Sequence, residues 1–124
     1  MSDKVFIGVI IEESLADKTV LNKVKIIKTK IEKITKKHKT PWLKQWTLHT
    51  VEIPEDKARA IAEELSGALQ PQYWYADFKN KIRHFIIFRN IIFDIDRKNK
   101  EQYKEAKEYG LSLGIPEYQI DFKP

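Results

Sequence analysis

Asp77 and His84 are the two residues whose types and spacing best fit acid–base chemistry in this 124-residue chain. Both lie in a stretch expected to form a β-hairpin, and a two-residue turn at 80–81 would place them directly opposite each other. Tyr75 would share their face of the sheet, because side chains two residues apart on a strand point the same way. A carboxylate that fixes the tautomer of an imidazole, with a phenol nearby, can act as a general acid–base site. Asp77, His84 and Tyr75 are therefore candidate catalytic residues.

The register of this hairpin is left open by the sequence. A three-residue turn that includes Lys79 would instead oppose Asp77 to Arg83 and His84 to Ala76. Both registers pair chemically compatible side chains. A core histidine hydrogen-bonded to a carboxylate is also a frequent structural arrangement, since buried polar groups need partners. A small enzyme is accordingly the alternative hypothesis, and a non-catalytic protein is favoured.

His49 is a second candidate for chemistry, on a strand face that it shares with Thr47, Val51 and Ile53. The chain contains no cysteine and no His-x-His or His-x-x-x-His pattern, so we predict no metal site. The serines lack a Gly-x-Ser-x-Gly setting, which argues against nucleophilic catalysis. The four glycines form no phosphate-binding loop, and no cofactor is predicted.

Positive charge is concentrated in one segment. The whole chain has a net charge of +5, yet the segment Lys18–Lys44 holds ten lysines and a single acid, Glu32. This asymmetry favours contact with an anion, which could be nucleic acid, an acidic partner or a phosphorylated ligand. A general enrichment of lysine at exposed positions would also explain the asymmetry and is the simpler interpretation. The residues expected to contact an anion or nucleic acid are Lys36, Lys37, Lys39, Trp42, Lys44, Trp74 and Arg83.

Aromatic residues near these lysines raise the hypothesis of a single-stranded nucleic-acid binder. Trp42 and Trp46 lie at the C-terminal end of the lysine-rich segment, and aromatic side chains on a sheet can stack on unpaired bases. The short glycine-containing motif of the RNA recognition domain is missing, however.

Self-association is the simpler expectation. Trp74, Phe85 and Ile87 give the aromatic segment a second apolar face, which another copy of the chain would cover in a homodimer. The sequence therefore favours a binding or interaction module that self-associates and contacts an anionic partner through Lys18–Lys44.

Length and composition predict one cytoplasmic domain. A chain of 124 residues is close to the usual size of a single domain, and 42% of its residues are hydrophobic. The longest apolar run, Val5–Ile11, is too short to cross a bilayer, and no secretory cleavage site follows it. No disulfide framework is available without cysteine, which is typical of a cytoplasmic protein.

The stretch between residues 17 and 35 is ambiguous. Val20, Val24, Ile27, Ile31 and Ile34 have helical spacing, but the abundance of β-branched residues favours a strand. We expect a short turn or helix over 17–22 and a strand over 24–34.

The other elements follow from periodicity and end signals. We expect strands over 5–12 and 46–53, and a helix that Pro54 opens and Gly67 ends. A three-stranded meander follows over 73–78, 82–88 and 91–96, with a two-residue turn at Arg89-Asn90. A second helix begins at Asn99 and stops at Gly114, and 118–122 forms a last short strand.

These elements predict an α+β fold, a mainly antiparallel sheet of about five to six strands with two to three helices packed on one face. The stretches 40–54, 73–89 and 109–121 resemble a small prokaryotic family of conserved hypothetical proteins. That resemblance implies no activity and no site residues.

Overall fold

A six-stranded antiparallel sheet runs through the computed structural model, which describes residues 4–33, 45–70 and 74–120. The strands are β1 (Val5–Ile11), β2 (Lys25–Lys33), β3 (Gln45–Pro54), β4 (Ala76–Lys79), β5 (Arg83–Phe88) and β6 (Ile91–Asp96). Their order across the sheet is β2-β3-β1-β4-β5-β6. The two α-helices are α1 (Glu55–Ala68) and α2 (Lys100–Ser112), and 3₁₀ turns cover Glu12–Ser14, Lys18–Lys23 and Glu117–Gln119. The predicted α+β class and antiparallel sheet are confirmed.

The two α-helices cover opposite faces of the sheet. Ile61 and Leu65 of α1 pack in one cluster with Phe85 and Ile87 of β5. A second cluster joins α2 to the alternate side chains of the same strand, among them Ile86. The helices were expected to pack on one face of the sheet, but α1 and α2 pack on opposite faces. The physical reason is that β5 is apolar on both sides, so each side needs its own cover.

We call these two sides the α1 face and the α2 face. Trp74, Phe85 and Ile87 suggested a face for a second subunit, but all three side chains are buried within the chain itself. The homodimer therefore stays a prediction without the exposed aromatic face that motivated it.

The end signals of both helices act much as expected. Pro54 precedes α1, and Glu55 and Asp56 occupy its first turn, although the helix continues one residue past Gly67. Asn99 caps α2 by accepting a hydrogen bond from the Gln102 amide at 3.1 Å.

Gly114 ends α2 with a left-handed φ of 86°. Its amide donates to Leu111 O at 3.0 Å and the Ile115 amide donates to Gly110 O at 3.3 Å. This pair of bonds is the Schellman arrangement that a glycine stop predicts.

The β5–β6 hairpin has the predicted register. Phe88 pairs with Ile91 and Arg83 pairs with Asp96, and Asn90 adopts the left-handed conformation with φ 62°. Arg83 forms its ion pair with Asp94, a diagonal neighbour on the same face.

Neither predicted register of the β4–β5 hairpin is correct. Lys79 pairs with His84, and Asp77 pairs with Ile86. The turn is centred on residues 81–82, because the Asn80 carboxamide oxygen accepts from the amides of Ile82 at 3.0 Å and the residue after it at 2.7 Å. This side-chain cap places the turn one residue later than the turn at 80–81 that propensity alone indicated.

The short turn or helix and the strand predicted for 17–34 are confirmed as the 3₁₀ turn Lys18–Lys23 and the strand β2. The last strand predicted for 118–122 is wrong where the structure describes it, since Glu117–Gln119 forms a 3₁₀ turn. Within the described ranges no helix is long and apolar enough to cross a membrane.

Candidate functional site

A buried chain of polar side chains links α2 to β4 through β5. The Tyr103 hydroxyl lies 2.9 Å from His84 Nδ1, and His84 Nε2 lies 2.7 Å from Asp77 Oδ2. The His84 side chain is only 3% exposed, whereas that of Asp77 is 30% exposed. Of these three hydrogen-bonded residues, Asp77 is thus the one that reaches the surface.

The Asp77–His84 contact is diagonal across the hairpin. Asp77 pairs with Ile86, two residues beyond His84, so both side chains project from the α2 face. Diagonal neighbours on one face lie within reach of long or aromatic side chains. The two residues therefore meet even though both predicted registers were wrong. The true register differs by two positions from the one that a two-residue turn at 80–81 gives, and a shift of two keeps both side chains on the same face of the sheet.

Both ring nitrogens of His84 are hydrogen-bonded, Nδ1 with the Tyr103 hydroxyl and Nε2 with the Asp77 carboxylate. Burial raises the pKa of Tyr103 against the opposing effect of the nearby Arg97 guanidinium, so the hydroxyl keeps its proton for this bond.

Asp77 opens onto a cavity of about 300 Å³ on the α2 face. We call it the Asp77 cavity. Its walls come from β1, β3, β4, the two residues before β4 and the 3₁₀ turn Glu117–Gln119. The lining residues are Val9, Ile11, Trp46, Leu48, Trp74, Tyr75, Asp77 and Gln119. The walls are mainly apolar, and Asp77 is the ionised group among these residues.

Tyr75 stands beside Asp77 in this cavity. Its hydroxyl donates a hydrogen bond to the Gln119 carbonyl. Burial, followed by the charge of Asp77, raises the pKa of the Tyr75 phenol well above its usual range. Tyr75 is therefore a neutral hydrogen-bonding group, and as an acid it is weak.

Of the three candidate catalytic residues, Asp77 and Tyr75 line the cavity and His84 does not. His84 lies behind Asp77 and can affect a bound molecule only through that carboxylate. The acid–base function stays a prediction. The sequence analysis missed Trp46 as a wall of this site, although its place on the alternating strand β3 was the available signal.

Of the residues predicted to contact an anion, the structure describes Trp74 and Arg83, and these two do not share one surface. Trp74 is 5% exposed, and its ring packs against Trp46 with centroids 5.4 Å apart. Arg83 lies on the α1 face, where Asp94 neutralises it. The other five predicted contacts lie outside the described residues: Lys36, Lys37, Lys39, Trp42 and Lys44.

The strand β2 carries four of the six described lysines of the lysine-rich segment. It lies at one edge of the sheet, and eight of its nine residues are exposed, the ninth being half-buried. We call this strand's outer side the β2 edge. Its four lysines are Lys25, Lys28, Lys30 and Lys33, and its exposed isoleucines are Ile26, Ile27 and Ile31.

His49 ties the β2 edge to the rest of the sheet. Its Nδ1 lies 2.9 Å from Thr29 Oγ1 on β2, and its Nε2 lies 3.1 Å from Glu12 Oε1. Both ring nitrogens are thus engaged in structural bonds. In the part of the chain that the structure describes, no group of three or more His, Asp or Glu side chains could hold a metal ion.

Comparisons with known proteins add no functional information, since no family model, no curated protein and no solved structure matches the chain.

Proposed function

We propose that the protein is an interaction module that binds an acidic, extended peptide segment along the β2 edge. The observation that carries this proposal is the exposure of the strand β2, on which eight of nine residues are open to solvent. A strand at the end of a sheet presents a row of backbone N–H and C=O groups. An extended peptide can pair with that row as an additional strand, which is a common mode of peptide recognition.

The charge of the β2 edge selects an acidic partner. Four lysines accompany one acid on the strand, and none of these lysines takes part in an ion pair within the described residues. By contrast, Lys18 and Lys23 lie near Glu12 and Glu64. The lysines of β2 can therefore meet carboxylates of a partner without first breaking such internal contacts.

The apolar residues of the same strand supply contact area. Ile26, Ile27 and Ile31 are 41%, 48% and 61% exposed, which makes this strand the main exposed apolar surface among the described residues. A β-bulge between Ile26 and Lys28 adds Ile27 to the strand. A partner with alternating acidic and apolar residues would match this surface.

A second copy of the chain suits the β2 edge less well. Antiparallel pairing of two β2 strands would bring the four lysines of each copy together, and like charges across a ladder are destabilising. Lysines at a sheet edge commonly prevent such self-pairing. The predicted homodimer therefore needs another surface.

Nucleic acid is also less well matched. Base stacking needs exposed aromatic rings, and the exposed large hydrophobic residues in the described ranges are isoleucine and leucine. Trp46 and Trp74 are buried against each other. The described part of the lysine segment thus offers charge without a stacking platform.

The test uses a fluorescent peptide of alternating glutamate and valine, and anisotropy measured with the full chain at low and high salt. We expect saturable binding that weakens as salt is added. The double variant Lys28→Glu/Lys30→Glu should weaken binding by about tenfold or more, because two attractions become two repulsions. The matched control is Lys100→Glu/Lys104→Glu on the exposed side of α2, which makes the same change in net charge.

Three results would overturn the proposal. An equal loss in the control pair would mean that only net charge matters. A peptide with N-methylated alternate amides keeps its charge and loses its ladder hydrogen bonds, so undiminished binding of that peptide would exclude strand pairing. Stronger binding of a thymidine oligonucleotide than of the acidic peptide would favour the nucleic-acid hypothesis instead.

A further inference from the structure

We propose that the Asp77 cavity binds a small organic cation, an ammonium group carried on an apolar or aromatic body. This site is separate from the β2 edge and does not depend on a peptide partner. Its volume of about 300 Å³ is at the lower end of the range for ligand pockets. A molecule of the size of benzylammonium fits that space.

The charge of the cavity comes from one carboxylate. His84 engages Asp77 Oδ2, and no other described residue donates to the Asp77 carboxylate. Because the side chain is 30% exposed and lines the cavity, its Oδ1 can accept a hydrogen bond from a ligand. A positively charged donor is favoured, since charge-assisted hydrogen bonds are stronger than neutral ones.

The walls suit the remainder of such a ligand. Val9, Ile11 and Leu48 provide aliphatic contact, and the two indole rings of Trp46 and Trp74 bound the same space. Indole is the aromatic group that attracts cations most strongly, and desolvation in a pocket strengthens the attraction. An apolar body with a single cationic end satisfies both kinds of wall at once.

His84 and Tyr103 hold the carboxylate in place. The His84 side chain is 3% exposed and is hydrogen-bonded on both ring nitrogens, which fixes the orientation of Asp77 before a ligand arrives. An anion is disfavoured because it would lie against Asp77 with no described cation among the lining residues. A neutral molecule would gain the apolar contacts alone.

Three probes of similar shape test the proposal on the wild-type chain: benzylammonium, benzyl alcohol and benzoate. Each is titrated at millimolar concentrations while the backbone amide and indole NMR signals are recorded. We expect benzylammonium to shift the signals of β4 residues and of Trp46 and Trp74, with an affinity at least about tenfold above that of benzyl alcohol. Benzoate should bind least.

The variant Asp77→Asn keeps the shape of the side chain and removes its charge. Benzylammonium should bind about tenfold more weakly to this variant, while benzyl alcohol should bind as it does to the wild type. The control Glu63→Gln makes the same charge change on the exposed surface of α1 and should alter neither affinity.

The wild-type titrations decide the question even if Asp77→Asn folds poorly. Equal affinities for the three probes, or no shift with benzylammonium, would refute the proposal. Tighter binding of benzoate would also refute it, because the cavity would then select the opposite charge. Shifts confined to residues outside the cavity would show that the cation binds elsewhere.

Discussion

Replacing Gly8 with alanine should be among the most damaging small changes in this chain. Gly8 lies in the middle of β1 and pairs with Val51 on one side and Phe78 on the other. A Cβ at this position would lie 1.9 Å from the Asp77 carbonyl oxygen and 2.5 Å from Phe78 Cα. Both atoms belong to the backbone of β4, so no side-chain rotation relieves the contact.

The structure sets the size of the effect. The carbonyl contact would need to lengthen by roughly 1 Å before it reached an acceptable distance, and β4 cannot move alone because β1 and β5 both pair with it. Overpacking in a well-packed core costs about 1–3 kcal/mol and sometimes more. We expect Gly8→Ala to lower the free energy of unfolding by about 3 kcal/mol, a large part of the ~5–15 kcal/mol typical of a domain.

Gly67→Ala is the matched control. Gly67 lies in the last turn of α1, and a Cβ added there would have no heavy atom within 4 Å. The added methyl should raise stability by about 0.5–1 kcal/mol, because alanine loses less backbone entropy than glycine in a helix. Urea unfolding, followed by circular dichroism, measures both variants. Gly8→Ala with wild-type stability, or a larger loss from Gly67→Ala, would refute the assigned packing of β4 on β1.

Three further predictions concern single side chains. Ser66→Ala should lower the free energy of unfolding, measured by urea denaturation, by about 1–3 kcal/mol. The reason is that the variant leaves a carbonyl of β5 buried without its 2.8 Å hydrogen bond. The control Ser112→Ala, at an exposed serine, should change the free energy of unfolding by less than about 0.5 kcal/mol. A hydrogen bond from the Thr19 side chain lowers the pKa of Asp17 below 3.8, so the native state binds fewer protons than the unfolded state. The wild type should therefore melt at a higher temperature than Asp17→Ala. This difference in melting temperature should be full above pH 4 and should shrink as the pH falls through the lowered pKa. Burial and the charge of Asp77 raise the pKa of Tyr75, so stability should fall as the pH rises above 10, and Asp77→Asn should let this phenol ionise at lower pH in an ultraviolet titration. An unchanged Tyr75 titration in Asp77→Asn would contradict the placement of the two side chains.

Local signals in the sequence determined much of the secondary structure. Asn90 and Gly114 adopt the left-handed conformations that their residue types permit most readily, and each ends an element where the sequence predicted it. The apolar stripe of α1 and the charged first turn after Pro54 likewise needed no information from distant residues. Such features are readable because a turn or cap depends on a few consecutive residues.

The tertiary structure decided what the site became. The Asn80 cap on the β4–β5 turn is local and propensity did not indicate it, but the diagonal contact of Asp77 with His84 exists only once the two strands pair in the sheet. Tyr103 reached His84 only because α2 packs on the opposite face from α1. No local pattern encodes that choice, since β5 is apolar on both sides and either helix could cover either face.

The sequence by itself thus determined the kinds of element, most of their limits and the presence of a lysine-rich strand. Only the tertiary structure determined that His84 is sealed behind Asp77, that Asp77 faces a cavity walled by Trp46 and Trp74, and that β2 stands exposed at the sheet edge. The physical reason is that burial and cavities depend on contacts between residues far apart in the chain, whereas caps, turns and amphipathic stripes depend on neighbours.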